Sequence, residues 1–211
     1  MTNKHIERLR RAAIKGKTDA QSSLGDSYAY GRPKYRNLTE GAKWFRRAAT
    51  RGDAHAQYNL ATMYDSGKGV PKNAVTAVRW YRRAAIQGHA SAQFNLGVSL
   101  AEGEGAKRNV PEAARWYTQA AKLGHTKAQY NLGLLNAQGR GKRKDFRRAY
   151  FWFRKAAKNG SAKAQNWLGN LYVEGHGVPR SISQARKWYL KASENGDRDA
   201  RYNLNNLRNW A

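Results

Sequence analysis

No cysteine occurs in this chain. That excludes a disulfide framework and a thiolate nucleophile, and it suits a reducing compartment, so a cytoplasmic location is expected. Acids are scarce: 14 Asp and Glu stand against 40 Lys and Arg, for a net charge of +26. No apolar run approaches the roughly 20 residues that cross a bilayer, which leaves only peripheral contact with an anionic membrane. Catalytic patterns are missing as well. There are no paired carboxylates and no Ser-His-Asp or H-E-x-x-H arrangement, so the expectation is a protein that is not an enzyme. His89 and His125 share one repeat position, and equivalent positions on packed helices lie roughly 8–10 Å apart. Two zinc ligands must each be about 2 Å from the metal. No catalytic residue, metal site or cofactor is therefore assigned.

What the chain does have is a period. Ala56-Gln57-Tyr58-Asn59-Leu60 has near-copies beginning at Ala20, Ala92, Ala128, Ala164 and Ala200, each 36 residues from the next. Glycines at 16, 52, 88, 124, 160 and 196 and tryptophans at 44, 80, 116, 152 and 188 keep the same spacing. A fixed period of this length signals stacked helix pairs, none of which can bury its apolar face alone. Ala56, Leu60 and Tyr64 share one face of a helix, termed A; Trp80, Ala84 and Ala85 share one face of a second, termed B. Glycine tolerates the positive φ needed just past each helix end. Pro111 falls in the first turn of a B helix, where its missing N–H is harmless. The paired alanines, such as Ala84-Ala85, allow close approach, and the tryptophans are expected to fill the space between units.

The unit A-Q-Y-N-L-x-x-M-Y-x-x-G-x-G-V, followed by A-x-x-W-Y-R-R-A-A-x-x-G, resembles the Sel1-like repeat, a relative of the tetratricopeptide repeat. The resemblance implies an all-α, right-handed α-solenoid of antiparallel helix pairs. It implies one domain: a capping helix in 1–16, five repeats over 17–196 and a closing helix in 197–211. Arg8 and Arg208 replace the Trp and Tyr of internal units, as suits caps. The chain departs from the family's cysteine-rich secreted members, and that departure sets aside penicillin binding or hydrolysis. An adaptor for protein partners, monomeric, is what the family implies.

The charge is unevenly placed. The six A-helix windows hold six acids (Asp19, Asp26, Asp65, Glu102, Glu174, Asp199) and five bases. The positive excess therefore belongs to the loops, the B helices and the N-terminal segment. In a tetratricopeptide-like architecture the A helices line the groove. By that analogy the peptide-binding residues are Tyr58, Phe94 and Tyr130, with Asn59, Asn95 and Asn131 beside them and Leu134 one turn on. Such a face suits an extended peptide, although the three aromatics have inter-repeat packing as an equal alternative. Arg32, Lys34, Arg36, Lys107 and Arg108, with the run Arg140, Lys142, Arg143, Lys144, Arg147 and Arg148, should form a basic ridge. It would attract an acidic protein or, as the alternative reading, RNA or DNA. The G-x-G-V loops at Gly67 and Gly175 read as helix-ending turns rather than phosphate cradles, because no strand precedes them.

Overall fold

The computed structural model describes residues 3–139 and 143–207. Among these residues there are twelve α-helices and no strand. The helices are α1 (Asn3–Ile14), α2 (Thr18–Tyr30), α3 (Leu38–Thr50), α4 (Ala54–Ser66), α5 (Ala74–Ile86) and α6 (Ala90–Glu102). They continue with α7 (Val110–Lys122), α8 (Thr126–Gln138), α9 (Phe146–Lys158), α10 (Ala162–Glu174), α11 (Ile182–Glu194) and α12 (Arg198–Asn206). Even-numbered helices are the A helices and odd-numbered ones the B helices. The chain forms two compact units, Met1–Asn109 and Val110–Ala211. Arg8 lies in α1 as expected, while Arg208, Arg140 and Lys142 fall outside the described residues.

The ends of the helices follow from their sequences. Asp53, His89, His125, Ser161 and Asp197 each accept a hydrogen bond from the backbone N–H three residues on, capping an A helix. Asn37, Asn73, Asp145 and Ser181 do the same for B helices, so one orphan donor is satisfied at each start. Helix α4 closes on Gly67 in the left-handed region at φ 71°, and α10 on Gly175 at φ 70°. The first repeat differs: Gly31 has φ −68°, and the chain enters a single 3₁₀ turn at Pro33–Tyr35. That is where the sequence departs from G-x-G-V.

The core adds an aromatic that the sequence analysis did not single out. In the five B helices from α3 to α11 the residue after the tryptophan is a buried aromatic: Phe45, Tyr81, Tyr117, Phe153 and Tyr189 are all at most 3 % exposed. Trp44 is buried, but Trp80, Trp116, Trp152 and Trp188 are only half-buried. The reason is the partner A helix. Phe45 lies on Gly25, Phe153 on Gly133 and Tyr189 on Gly169, where an added Cβ would fall 2.3–2.5 Å from the ring. The tryptophans do bridge successive pairs. Trp80 packs on the cluster holding Phe45, Ala48, Ala49 and Leu60, and Trp188 on the cluster holding Phe153, Ala156, Ala157 and Leu168.

Buried glutamines tie the five A helices from α2 to α10 to the preceding B helix. Gln57 Nε2 donates to the Ala49 carbonyl at 3.1 Å, and Gln21, Gln93, Gln129 and Gln165 repeat the bond to Ala13, Ala85, Ala121 and Ala157. The carbonyl near the end of the B helix, which already accepts from the glycine N–H three residues on, thereby gains a second donor. Replacing Tyr81 by Ala should cost about 3–5 kcal/mol, the usual range for a buried aromatic, and Trp80→Ala distinctly less. Urea unfolding of the two variants checks this, and equal losses would contradict the assignment of the core.

Candidate functional site

Two hollows on A-helix faces occupy the same repeat register. The first, about 320 Å³ and within the first unit, is lined by Tyr30 of α2, Thr62 and Asp65 of α4, Tyr81 of α5 and Asn95 of α6, over Leu38 and Met63. The second, about 550 Å³ and within the second unit, is lined by Asn170, Val173 and Glu174 of α10, Tyr189 of α11, and Tyr202, Asn203 and Asn206 of α12. Tyr81 and Tyr189 are equivalent, as are Asn95 and Asn203.

In both hollows the buried aromatic of the B helix carries a hydroxyl. Tyr81 donates to Asp65 Oδ2 at 3.2 Å, and Tyr189 donates to Asn170 Oδ1 at 2.6 Å. Asn203 Nδ2 reaches the same Asn170 oxygen at 3.4 Å and Asn166 Oδ1 at 3.0 Å. Burial first and the Asp65 carboxylate second push the Tyr81 phenol up, while burial and then Glu174 push Tyr189 up to about 12. Both phenols are therefore protonated donors at neutral pH.

Where the aromatic is phenylalanine, the same register is closed. Beside Phe45, Asn59 Oδ1 accepts from the Tyr30 hydroxyl at 3.3 Å, while Asn59 Nδ2 lies 2.9 Å from His55 Nε2 and 3.4 Å from Asp26 Oδ1. Beside Phe153, the Trp167 ring stacks at 5.3 Å between centroids.

The groove residues expected from sequence sort unequally. Asn95 lines the first hollow. Asn59 is buried and engaged as above. Tyr58 is half-buried, stacked on His89 at 4.5 Å and tilted against Tyr81 at 6.1 Å. Tyr130 leans on Phe153 at 5.9 Å, and Leu134 packs on the core around that ring. Phe94 and Asn131 are half-buried. Sequence reasoning overlooked Asp65, Tyr81, Glu174, Tyr189 and Asn203. The signal was there: the B-helix register holds phenylalanine at 45 and 153 and tyrosine at 81, 117 and 189, and Asp65 stands where the other repeats have Ala29, Ala101, Ala137 and Val173.

The basic loops lie side by side within each unit. Gly69 packs on the Leu38 carbonyl and Gly105 on the Ala74 carbonyl, so each loop docks on the start of the preceding B helix. Lys72 and Glu104, on neighbouring loops, pair at 3.3 Å. In the second unit Gly177 sits against the Phe146 backbone, and the His176 ring stacks on Phe146 at 4.3 Å. Arg143, Lys144, Arg147 and Arg148 surround a shallow hollow there, with Arg148 paired to Asp145 at 3.3 Å. Arg32, Lys34 and Lys107 are exposed. Some bases are spent on the fold: Arg36, Arg108 and Arg180 donate to the carbonyls of Gly31, Ala101 and Val173. Among the described residues no cluster of His, Asp or Glu could hold a metal ion, and no helix is long and apolar enough to cross a membrane.

Comparison with known proteins gives one family. The Sel1 repeat model matches residues 18–53, 54–89, 90–125, 126–161 and 162–197. A protective antigen of uropathogenic Escherichia coli displaying an SLR fold is 32% identical with a TM-score of 0.91, over 96% of this chain and 44% of its own. The chain thus spans under half the length of that antigen. A Sel1 repeat protein from Oxalobacter formigenes is 34% identical with a TM-score of 0.82, over 92% of this chain and 83% of its own. A Klebsiella pneumoniae protein at 20% identity and a TM-score of 0.58 shares the fold. A search of the curated proteins finds no match.

Two caps of the A helices are histidines. The Nδ1 atoms of His89 and His125 accept from the N–H of Ala92 and Ala128 at 3.2 and 3.3 Å. Burial, then His55 for the first and Lys127 for the second, holds both imidazoles below the ordinary value of 6.5. The folded state therefore binds fewer protons than the unfolded one just below that value. The stabilisation is complete above it and falls as pH drops towards the folded values. Exchanging both residues for Ser, the cap used at Ser161, should flatten the loss of thermal stability between about pH 6.5 and 5. An unchanged slope would show that the caps do not carry it.

Proposed function

Given that the chain belongs to the Sel1-repeat family, whose members generally mediate protein–protein interaction, we propose that it is a non-enzymatic scaffold taking an extended segment of a partner protein on its A-helix faces. Its basic loops draw acidic parts of the same partner. The observation that carries this reading is the recurrence of a polar hollow at one register, each with a phenol, an amide and an exposed aromatic, Tyr30 or Tyr202. An extended segment offers N–H and C=O groups at every residue, and asparagine supplies both an acceptor and donors to meet them. Exposed rings give a partner's apolar side chains a surface.

The loops serve approach rather than fit. One-sign charge accelerates encounter with an oppositely charged partner, and salt screens it. Lys34, Lys107, Arg143, Lys144 and Arg147 are exposed, and none of them caps a helix carbonyl, so these are the bases assigned to steering.

With a captured partner segment, Asn95→Ala and Asn203→Ala together should speed dissociation several-fold, as expected when direct contacts are lost. Neutralising Arg143, Lys144 and Arg147 should slow association and flatten its salt dependence. Surface plasmon resonance over a salt series separates the two effects. Binding that survives the asparagine changes but vanishes in high salt would make the loops the principal site, the behaviour of a nucleic-acid ligand.

A further inference from the structure

Asp65 is an exception to the repeat that contains it. Its register is filled in the other four repeats by Ala29, Ala101, Ala137 and Val173, with Asn209 at the same position of the closing segment, and Ala29, Ala137 and Val173 are buried. The fold asks for a small apolar residue there, and this repeat has a half-buried carboxylate. The neighbouring phenol does not explain it. Tyr189, at the register of Tyr81, finds its acceptor in the neutral amide of Asn170.

Asp65 is also without an ion pair among the described residues, in a chain with 40 Lys and Arg. Seven of the other thirteen acids have an evident task among the described residues. Glu40, Glu104 and Asp145 pair with Lys43, Lys72 and Arg148. Asp53 and Asp197 cap helices, and Asp26 and Glu174 contact His55 and His176. The one hydrogen bond to the Asp65 carboxylate comes from Tyr81, to Oδ2.

We propose that the Asp65 hollow seats a single lysine or arginine side chain of the partner's extended segment, a refinement that rests on the A-helix-face reading above. The volume, about 320 Å³, lies at the small end of ligand pockets and suits one side chain. Leu38 and Met63 take the aliphatic stem. Asp65, the Thr62 hydroxyl and the Asn95 carbonyl offer acceptors, and the exposed Tyr30 ring, 57 % accessible, offers a face for a cation. A carboxylate partly removed from water gains more from a cation than a surface one does. Lys68 stands at the rim; its ammonium opposes an incoming cation and so gives the test a second sign.

The probe is a phage library of random twelve-residue peptides selected on the protein, followed by anisotropy with an enriched peptide. The enriched peptides should share one Lys or Arg. Asp65→Asn, which keeps an acceptor for Tyr81, should weaken binding about ten- to a hundredfold. Lys68→Ala should tighten it. Glu194→Gln removes the same charge from an exposed site on α11 and should change nothing. Replacing the peptide's basic residue by norleucine should weaken binding to the original protein and abolish the effect of Asp65→Asn. If enriched peptides lose affinity on Asn95→Ala yet have no basic residue in common, or ignore Asp65→Asn, the cation pocket is wrong and the A-helix-face reading stands. If no peptide is enriched, or none responds to Asn95→Ala, that reading falls and the pocket falls with it.

Discussion

Three helix pairs depend on an aromatic ring of helix B pressed onto a glycine of helix A. With Phe45 on Gly25, Phe153 on Gly133 and Tyr189 on Gly169, the backbones approach closely enough that no Cβ fits between. The ring is buried, so its far edge decides what the A-helix face can do. A phenylalanine leaves that face to close on itself, as the Asn59, His55 and Asp26 group and the Trp167 stack do. Tyr81 and Tyr189 carry a hydroxyl that must find an acceptor, and the groups recruited for it, Asp65 and Asn170, line a polar hollow. One oxygen atom separates a packing contact from a candidate site.

Much of the fold is legible in the sequence because it is repeated. Period, helix ends and caps recur, so each copy corroborates the others. The matched segments 18–53 to 162–197 follow that period without a gap. The choice between Trp80 and Tyr81 as core residue was not legible. The two are adjacent, roughly 100° apart around a helix, and both are large and aromatic. At Phe45, Phe153 and Tyr189 the ring after the tryptophan is seated by a glycine of the facing A helix, which no single periodicity reports. The same limitation hid the candidate site. A reading of the repeat emphasises what the copies share, whereas Asp65 is informative because it differs from Ala29, Ala101 and Ala137. Tyr58 and Tyr130 are legible as a recurring aromatic, and their rings lean on Tyr81 and Phe153.

Charge follows a related division. The total of +26 is plain from composition, but composition does not say which bases are committed. Arg36, Arg108 and Arg180 close carbonyls near the ends of A helices, and Arg47, Arg83 and Lys191 lie over the rings of Trp44, Trp80 and Trp188. A guanidinium stacked on a half-buried indole shields it from water and still leaves its charge at the surface. Part of the positive excess is therefore structural in position and electrostatic in effect. The A-helix faces, with their scattered acids, are left as comparatively neutral ground where a segment can be held by fit.

The claim that the A-helix faces receive the partner is tested most directly by site-specific photo-crosslinking. A photoreactive side chain at Thr62, in the first hollow, and another at Lys155, on the exposed side of α9, would be compared for transfer to the partner captured under native conditions. The account predicts crosslinks from position 62, lost in competition with an unlabelled partner segment, and none from position 155. Crosslinking from position 155 alone would contradict it and move the site to the B helices.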